Sequence, residues 1–148
     1  FGVFPVHIIE GINEEVVFEG LRDPFYAVDS RDYQVIQPDH KYLKQIGASL
    51  LCIEKDRPHV PFERAIMGVR FNQYMIGTQF HPEADAIGMR MYLQKEDKKK
   101  TEIDNHGIEK WKIMIEHLED PDKILYTYSH ILPNFLHSAV FSQHTVEA

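Results

Sequence analysis

A histidine and a glutamate two positions apart are the residues whose types and spacing best suit chemistry in this chain. They are His81 and Glu83, in the stretch MIGTQFHPEAD. The residue before a proline is held in an extended conformation, and in an extended chain positions i and i+2 point to the same side. The Glu83 carboxylate can therefore hold one tautomer of the His81 ring and stabilise the imidazolium, as the orienting acid of a general base does. The alternative is a polar strand end without a catalytic role, and spacing alone favours that alternative because a three-residue pattern often arises by chance.

A base of this kind serves a nucleophile, and the one cysteine of the chain does not suit that role. Cys52 lies in the apolar segment SLLCIEK, which is typical of a core strand. A reactive thiolate needs partial exposure and positive surroundings, so we expect Cys52 to be buried and inert. The other histidines show no ligand spacing such as HExxH, and we predict neither a metal site nor a cofactor.

A second polar segment, AVDSRDYQV, places Ser30 and Arg31 between two apolar pieces. Its Asp side chains are typical of a turn, which needs no ligand. Alternatively, Arg31 or the backbone groups of this segment would bind an amino acid. The residues alone favour a turn.

Composition excludes several functional classes. A chain of 148 residues is the size of one domain with a sizeable core. Its net charge of −7 and scattered basic residues give no electrostatic footprint for nucleic acid. No apolar run approaches the roughly 20 residues that span a bilayer, and a single cysteine suits a reducing compartment. We therefore expect a cytoplasmic protein without a signal peptide and without nucleic acid or membrane as a partner.

Strands come first and helices after. Runs of β-branched and aromatic residues between Gly, Pro, Asn and Asp predict strands at 2–9, 25–28, 33–37, 49–54, 65–71 and 75–80. Cys52 falls in the fourth of these and His81 directly after the sixth. Strands followed by helices within one domain indicate an α+β unit or the second half of a larger α/β domain.

Helical spacing begins after Glu83. A first helix is predicted with Ile87, Met91 and Leu93 near one face, followed by a solvated charged segment, QKEDKKK. An amphipathic helix follows, whose apolar positions are Ile108, Trp111, Ile115 and Leu118. A last helix is predicted over residues 122–141, kinked or restarted at Pro133.

Beyond these patterns, GTQFHPEAD resembles the signature of the class I (triad) glutamine amidotransferases, in which Gln-Phe-His-Pro-Glu carries the catalytic His and Glu. Other segments resemble the family in its own order. FGVFPV resembles the strand after the nucleophile region, VFEGLRDPFYAV the F-x-G-L segment, DSRDYQV the Ser-His-Gly-Asp stretch and ILYTYSHILPNFL the closing helix. The resemblance runs from Phe1 to about Leu136. Among members of the family, the chain is most similar to the glutaminase domain of GMP synthetase.

The resemblance implies an α/β fold of the flavodoxin-like type, of which residues 1–148 would be the C-terminal portion of a single domain. It implies that His81 is the general base, that Glu83 orients it, and that Ser30 lies near bound glutamine with Arg31 beside it. Arg31, Asp32 and Tyr33 stand where the family has His, Gly and Asp, so the contacts to the substrate are left undefined. The family's Cys nucleophile and its oxyanion elbow lie upstream of the segment that FGVFPV resembles, and would lie outside this chain.

The implied function is hydrolysis of the glutamine amide to glutamate and ammonia through a Cys-His-Glu triad, without a cofactor. The implied partners are glutamine, the N-terminal half of the same domain, and a synthetase domain or subunit that accepts ammonia. Residues 1–148 alone are expected to be inactive. Two alternatives stay open: a homoserine O-acyltransferase of the same fold, suggested by the Ser-Arg pair and the His-x-Glu pair, and a non-catalytic amidotransferase-like binding module.

Overall fold

Five antiparallel strands form the sheet of this mixed α/β chain, described here from a computed structural model over residues 2–12 and 14–141. The strand order is β2-β1-β3-β4-β5, and every neighbouring pair is antiparallel. The strands are β1 (Gly2–Ile8), β2 (Phe25–Asp29), β3 (Ser49–Glu54), β4 (Ile66–Asn72) and β5 (Met75–Thr78).

Most of the helical structure follows the sheet in sequence. A 3-10 turn covers Val16–Phe18, and a π-helical turn at Pro121–Leu125 leads into the last helix. Within the described ranges, no helix is both long and apolar enough to cross a membrane. The α-helices are α1 (His40–Gln45), α2 (Ala86–Leu93), α3 (Glu96–His106), α4 (Ile108–Glu119) and α5 (Tyr126–Phe141).

Both faces of the sheet are buried at β1 and β2. Successive residues of a strand point to opposite faces, so neighbouring positions pack in different clusters. Ala27 packs in a cluster with Val6 and with Ile131 of α5. The next residue, Val28, packs in a second cluster with Val3 and residues of α2 and α4. Burial on two faces explains why these strands read as nearly continuous apolar runs rather than as alternating ones.

The predicted strand at 33–37 is wrong. That segment forms no ladder in the described structure, and one backbone bond, from Ile66 N–H to the Val35 carbonyl at 2.8 Å, ties it to the sheet. Tyr33 is 89% exposed. The physical reason is the shortage of free partners: β4 is paired with β3 on one side and, from Gly68 to Asn72, with β5 on the other, which leaves the start of β4 at Ile66 for this segment to contact.

One helix prediction is confirmed and another is wrong in part. The amphipathic helix is confirmed as α4, with Ile115 and Leu118 buried. The predicted face of the first helix is wrong, because Ile87 and Met91 are 64% and 62% exposed while Leu93 is buried. Helix α2 is apolar on nearly every side, so periodicity did not determine which side faces the core.

Two further predictions concern charge and proline. The charged run QKEDKKK is mostly exposed, as predicted, and from Glu96 onward it forms the start of α3. Pro133 lies inside α5, which continues from Tyr126 to Phe141, so of the two predicted alternatives the restart is wrong and the kink stays a prediction.

Candidate functional site

His81 lies where the chain leaves β5 and reaches β2. Its backbone N–H donates to the Val28 carbonyl at 2.8 Å, which forms an isolated antiparallel bridge. The preceding residue, Phe80, is buried and packs edge-on against Phe25, with ring centroids 5.5 Å apart. A main-chain bond and a buried aromatic side chain therefore fix the backbone of His81 while its ring stays at the surface.

Glu83 is held between this bridge and the start of α2. Asp85 is the N-cap of α2, and its carboxylate accepts hydrogen bonds from the backbone N–H groups of Ile87 at 3.1 Å and Gly88 at 2.9 Å. An Asp in this position stabilises the first helical turn. Hydrogen bonds therefore anchor this four-residue connection at both ends and place the backbone of Glu83 next to His81.

The two side chains form a hydrogen-bonded pair. Nδ1 of His81 and Oε1 of Glu83 are 2.8 Å apart, and the side chains are 46% and 60% exposed. Partial burial works to raise the pKa of Glu83, but hydrogen bonds from the His81 ring and from its own backbone N–H, with the charge of His81, outweigh this effect and lower the pKa. An ionised Glu83 favours the tautomer with hydrogen on Nδ1, which leaves Nε2 as the basic nitrogen of His81.

A buried charged cluster, which we call the Glu54 cluster, comprises Asp29, Arg31, Glu54 and Arg57. Nη2 of Arg31 donates to Oε2 of Glu54 at 2.6 Å, and Nη2 of Arg57 donates to Oε1 at 2.5 Å. The backbone N–H of Ala65 donates to the same Oε1 at 2.9 Å. Nε of Arg31 is 3.3 Å from Oδ2 of Asp29. The Glu54 side chain is 8% exposed, so its charge is compensated almost entirely by protein groups.

Asp29 connects this cluster with the histidine. It is one residue beyond Val28, and its side chain is 10% exposed. Burial raises the pKa of Asp29, and the positive charges of Arg31 and His81 partly offset the increase. Its Oδ1 atom is buried and has no hydrogen-bond partner in the part of the chain that the structure describes. A desolvated carboxylate oxygen without a donor is costly in free energy, which makes Asp29 a strained member of the cluster.

A cavity of about 270 Å³ opens beside the Glu54 cluster. Nη1 of Arg31 faces Sδ of Met67 at 2.9 Å, and because a thioether is a weak acceptor, this donor retains capacity for a ligand. His81 and Glu83 are not on its walls. The cavity walls carry charges of both signs and are formed by Phe4, Pro5, Val6, Asp29, Arg31, Glu54, Lys55, Arg57 and Met67.

The structure places the four site residues predicted from the sequence in different surroundings. His81 and Glu83 are brought together, while Ser30 is exposed and does not line the cavity. Arg31 lines the cavity, but most of its guanidinium is committed to Asp29 and Glu54. Sequence reasoning missed Asp29, Glu54 and Arg57 as partners of Arg31. The available signal was a Glu and an Arg three positions apart, beginning at the last residue of the strand that contains Cys52.

Cys52 is 1% exposed on β3, so its predicted burial is confirmed. Burial raises the pKa of its thiol well above the ordinary range. The Sγ atom also lies against Gly68, where an added Cβ would approach it to 2.7 Å. A protonated, enclosed thiol is not a nucleophile for His81. Among residues 2–12 and 14–141, no group of three or more His, Cys, Asp or Glu is arranged to hold a metal ion.

Comparison with known proteins gives one structural similarity. No family model matches the chain, and no curated protein matches it. The crystal structure of SMU.1228c matches with a TM-score of 0.54 and 14% sequence identity, over 92% of this chain and 52% of that one. At this identity the likeness concerns the fold alone. The chain thus spans about half the length of the structure that it matches.

Proposed function

We propose that residues 1–148 are part of a class I glutamine amidotransferase domain of the flavodoxin-like type, in which His81 is the general base and Glu83 orients it. The observation that carries the proposal is the 2.8 Å contact between His81 Nδ1 and Glu83 Oε1, at the surface and directly after a strand. A triad requires this arrangement, because the base must present one nitrogen outward while a carboxylate holds the other.

The reaction assigns two alternating roles to His81. Nε2 takes the proton of a cysteine thiol supplied from outside residues 1–148, and the thiolate attacks the amide carbon of glutamine. The imidazolium then donates that proton to the departing ammonia, leaving a γ-glutamyl thioester. His81 next takes a proton from water, which attacks the thioester and releases glutamate, and the thiol is restored. Glu83 stabilises the imidazolium each time it forms.

The charged cavity supports an amino-acid substrate. A free amino acid carries an ammonium and a carboxylate, and the walls offer Asp29 as a partner for the first and Arg31, Lys55 and Arg57 for the second. Asp29 is one residue from Val28, to whose carbonyl the His81 backbone is bonded. In this proposal ammonia passes to a synthetase domain or subunit, and the protein acts in the cytoplasm.

The test is ammonia release from glutamine by the intact gene product. His81→Ala is expected to lower the rate by about 10²–10⁴-fold, the usual contribution of a positioned base, and Glu83→Gln by less. His106→Ala is the matched control, because His106 also faces a glutamate, with Nε2 at 3.8 Å from Oε2 of Glu102, but lies on α3. The control should keep the wild-type rate.

Three outcomes would overturn the proposal. Unchanged hydrolysis by His81→Ala would remove the histidine from the reaction. Acylation of homoserine by an acyl-CoA, without hydrolysis of glutamine, would assign the protein to the acyltransferases. If the intact protein showed neither activity, a non-catalytic binding module would be the better assignment.

A further inference from the structure

Helix α3 differs from its neighbours in what it turns toward the rest of the molecule. It packs mainly on α4 and α2, yet none of its 11 residues, all of which the structure describes, is buried. The helices on either side bury Leu93 of α2 and Met114, Ile115 and Leu118 of α4. The sequence of α3 contains one apolar residue, Ile103. Burial of apolar surface therefore contributes little to holding α3 in place.

Ammonium groups on aromatic rings supply another attraction between α3 and its neighbours. Lys99 of α3 lies over the ring of Trp111 on α4, with Nζ 4.4 Å from the ring centroid. Lys98 lies over the ring of Tyr92 on α2 at 5.4 Å, and Lys95, the N-cap residue of α3, lies over the same ring at 5.8 Å. A cation within about 6 Å of a ring centroid is attracted to the face of the ring. We call Lys95, Lys98 and Lys99 the ring lysines.

One oxygen atom is unfavourably placed while α3 is docked. Oε2 of Glu102 is buried and has no hydrogen-bond partner in the part of the chain that the structure describes. It lies 3.8 Å from Nε2 of His106, which is beyond hydrogen-bond distance. Glu102 is three positions after Lys99 and therefore lies on the same side of the helix, toward α4. Because a desolvated carboxylate oxygen without a donor is costly in free energy, access of water on undocking would offset part of the attraction of the ring lysines.

The two ends of α3 suit an element that moves as a unit. Gly107 separates α3 from α4 with φ at +86°. A Cβ at Gly107 would meet no atom within 4 Å in the described structure apart from its chain neighbours. Glycine changes its backbone angles at little steric cost. At the other end, the side chain of Lys95 makes no capping hydrogen bond to α3 in the described structure. Neither end thus holds α3 rigidly against α2 and α4.

We propose that α3 is a strap that the charges of the ring lysines hold closed, and that it opens as a unit about Gly107 while the sheet stays folded. Regions with few buried apolar contacts open locally at a lower free energy than global unfolding requires. Opening uncovers the ring faces of Tyr92 and Trp111, and closing covers them again. The position of α3 therefore depends on charge at three lysines rather than on a hydrophobic seam. This device is independent of the reaction proposed for His81.

The experiment is amide hydrogen exchange on the intact gene product, read peptide by peptide by mass spectrometry. In the wild type, residues 96–106 should exchange faster than β3. Lys99→Gln removes the charge over Trp111 and should speed exchange in 96–106 by about 2–5-fold, which corresponds to the usual strength of an exposed cation–π contact. Exchange in β3 should not change. Lys99→Arg keeps a cation over the ring and should exchange at nearly the wild-type rate.

Lys100→Gln is the matched control. Lys100 is exposed on the same helix and is not one of the ring lysines. The control removes the same charge, and because Lys, Arg and Gln have similar helix propensities, none of the three substitutions alters the intrinsic stability of α3 by much. Its exchange in 96–106 should stay close to that of the wild type. Lys98→Gln, which acts through Tyr92, replaces Lys99→Gln if that variant does not fold.

Three results would overturn the proposal. Exchange of residues 96–106 only together with β3 would show that α3 and the sheet open as one unit. Equal rates in Lys99→Gln and Lys100→Gln would show that the contact with the ring does not hold the helix. A rate in Lys99→Arg as high as in Lys99→Gln would show that the charge is not what closes it. Exchange is measured without catalysis, so these results are separate from failure of the proposed function.

Discussion

Glu54 and Glu83 each contact a cationic or ionisable side chain at hydrogen-bond distance, yet their surroundings differ greatly. Glu54 is 8% exposed and receives bonds from Arg31, Arg57 and the Ala65 backbone. Glu83 is 60% exposed and has His81 as its side-chain partner in the described structure. A buried carboxylate must keep all its partners, because losing one leaves a desolvated charge. An exposed carboxylate contributes little to stability and leaves its partner free to exchange protons. The contrast separates a site that holds the fold from one suited to chemistry.

Replacement of Glu54 by Ala should give the largest effect. It leaves Arg31 and Arg57 without their shared carboxylate, and we expect the free energy of unfolding to fall by about 3–5 kcal/mol. Urea denaturation measures it, with Glu119→Ala as the control, because the contact of Glu119 with Arg90 is exposed. Equal losses of unfolding free energy in the two variants would show that the buried and the exposed glutamate contribute equally to stability.

Arg31→Lys should have the next largest effect. The guanidinium reaches Asp29 and Glu54 together, and an ammonium group keeps the charge without this fork geometry. We expect a loss of about 1.5–3 kcal/mol, the usual contribution of a hydrogen bond to a charged group. Arg22→Lys is the control, since Arg22 is largely exposed and lies 3.6 Å from Asp122, and it should change stability by less than about 0.5 kcal/mol. If the Arg31→Lys variant unfolds at the same temperature as the wild type, a positive charge without the fork geometry is enough to hold Asp29 and Glu54.

Asp29→Asn should change how the free energy of unfolding depends on pH, because it replaces the carboxylate whose buried oxygen has no partner in the described structure. Because the pKa of Asp29 is raised above 3.8 in the folded state, the folded protein binds a proton more tightly than the unfolded one. The associated stability is present below pH 3.8 and is lost as the pH rises through the folded-state pKa. Relative to wild type, the Asn variant should therefore gain stability between pH 3 and pH 7. Denaturation at both values measures this, and a relative loss over that interval would contradict the role of burial.

Glu83→Gln should have the smallest effect on stability. The pKa of Glu83 is lowered, so its contribution is present above the ordinary value of 4.5 and is lost as the pH falls through the folded-state pKa. Because the side chain is mostly exposed, this contribution should be below about 1 kcal/mol. Chemical denaturation at pH 7 and pH 3 measures it. A loss comparable with that of Glu54→Ala would mean that Glu83 is a structural residue.

The sequence predicts local features of this site better than distant ones. The pairing of His81 with Glu83 follows from two positions and a proline, so the expected proximity could be reasoned without a fold. The contact of Arg31 with Glu54 spans 23 positions and depends on how the segment after β2 and the end of β3 are brought together, which no local pattern contains. Whether the His81 pair is catalytic remains a prediction, since proximity does not supply the nucleophile.

The errors in the fold have the same origin. Residues 33–37 carry a strand-like pattern, but a ladder requires a run of free partners, and β4 offers this segment its start at Ile66, because β5 pairs with β4 from Gly68 to Asn72. Ile87 and Met91 have helical spacing, but α2 is apolar around nearly its whole circumference. In both cases the local propensity is real and the tertiary arrangement decides its use.

The bond from the Thr127 hydroxyl to the Tyr26 carbonyl joins residues 101 positions apart, and it has a consequence for synthesis on the ribosome. Tyr26 is added to the nascent chain about 5–20 s before Thr127, at ordinary translation rates of roughly 5–20 residues per second. Until then the outer side of β2 lacks the helix that covers it and is itself an exposed edge. A nascent chain stalled before residue 127 should accordingly be more prone to bind chaperones and to aggregate than one stalled after α5 has emerged.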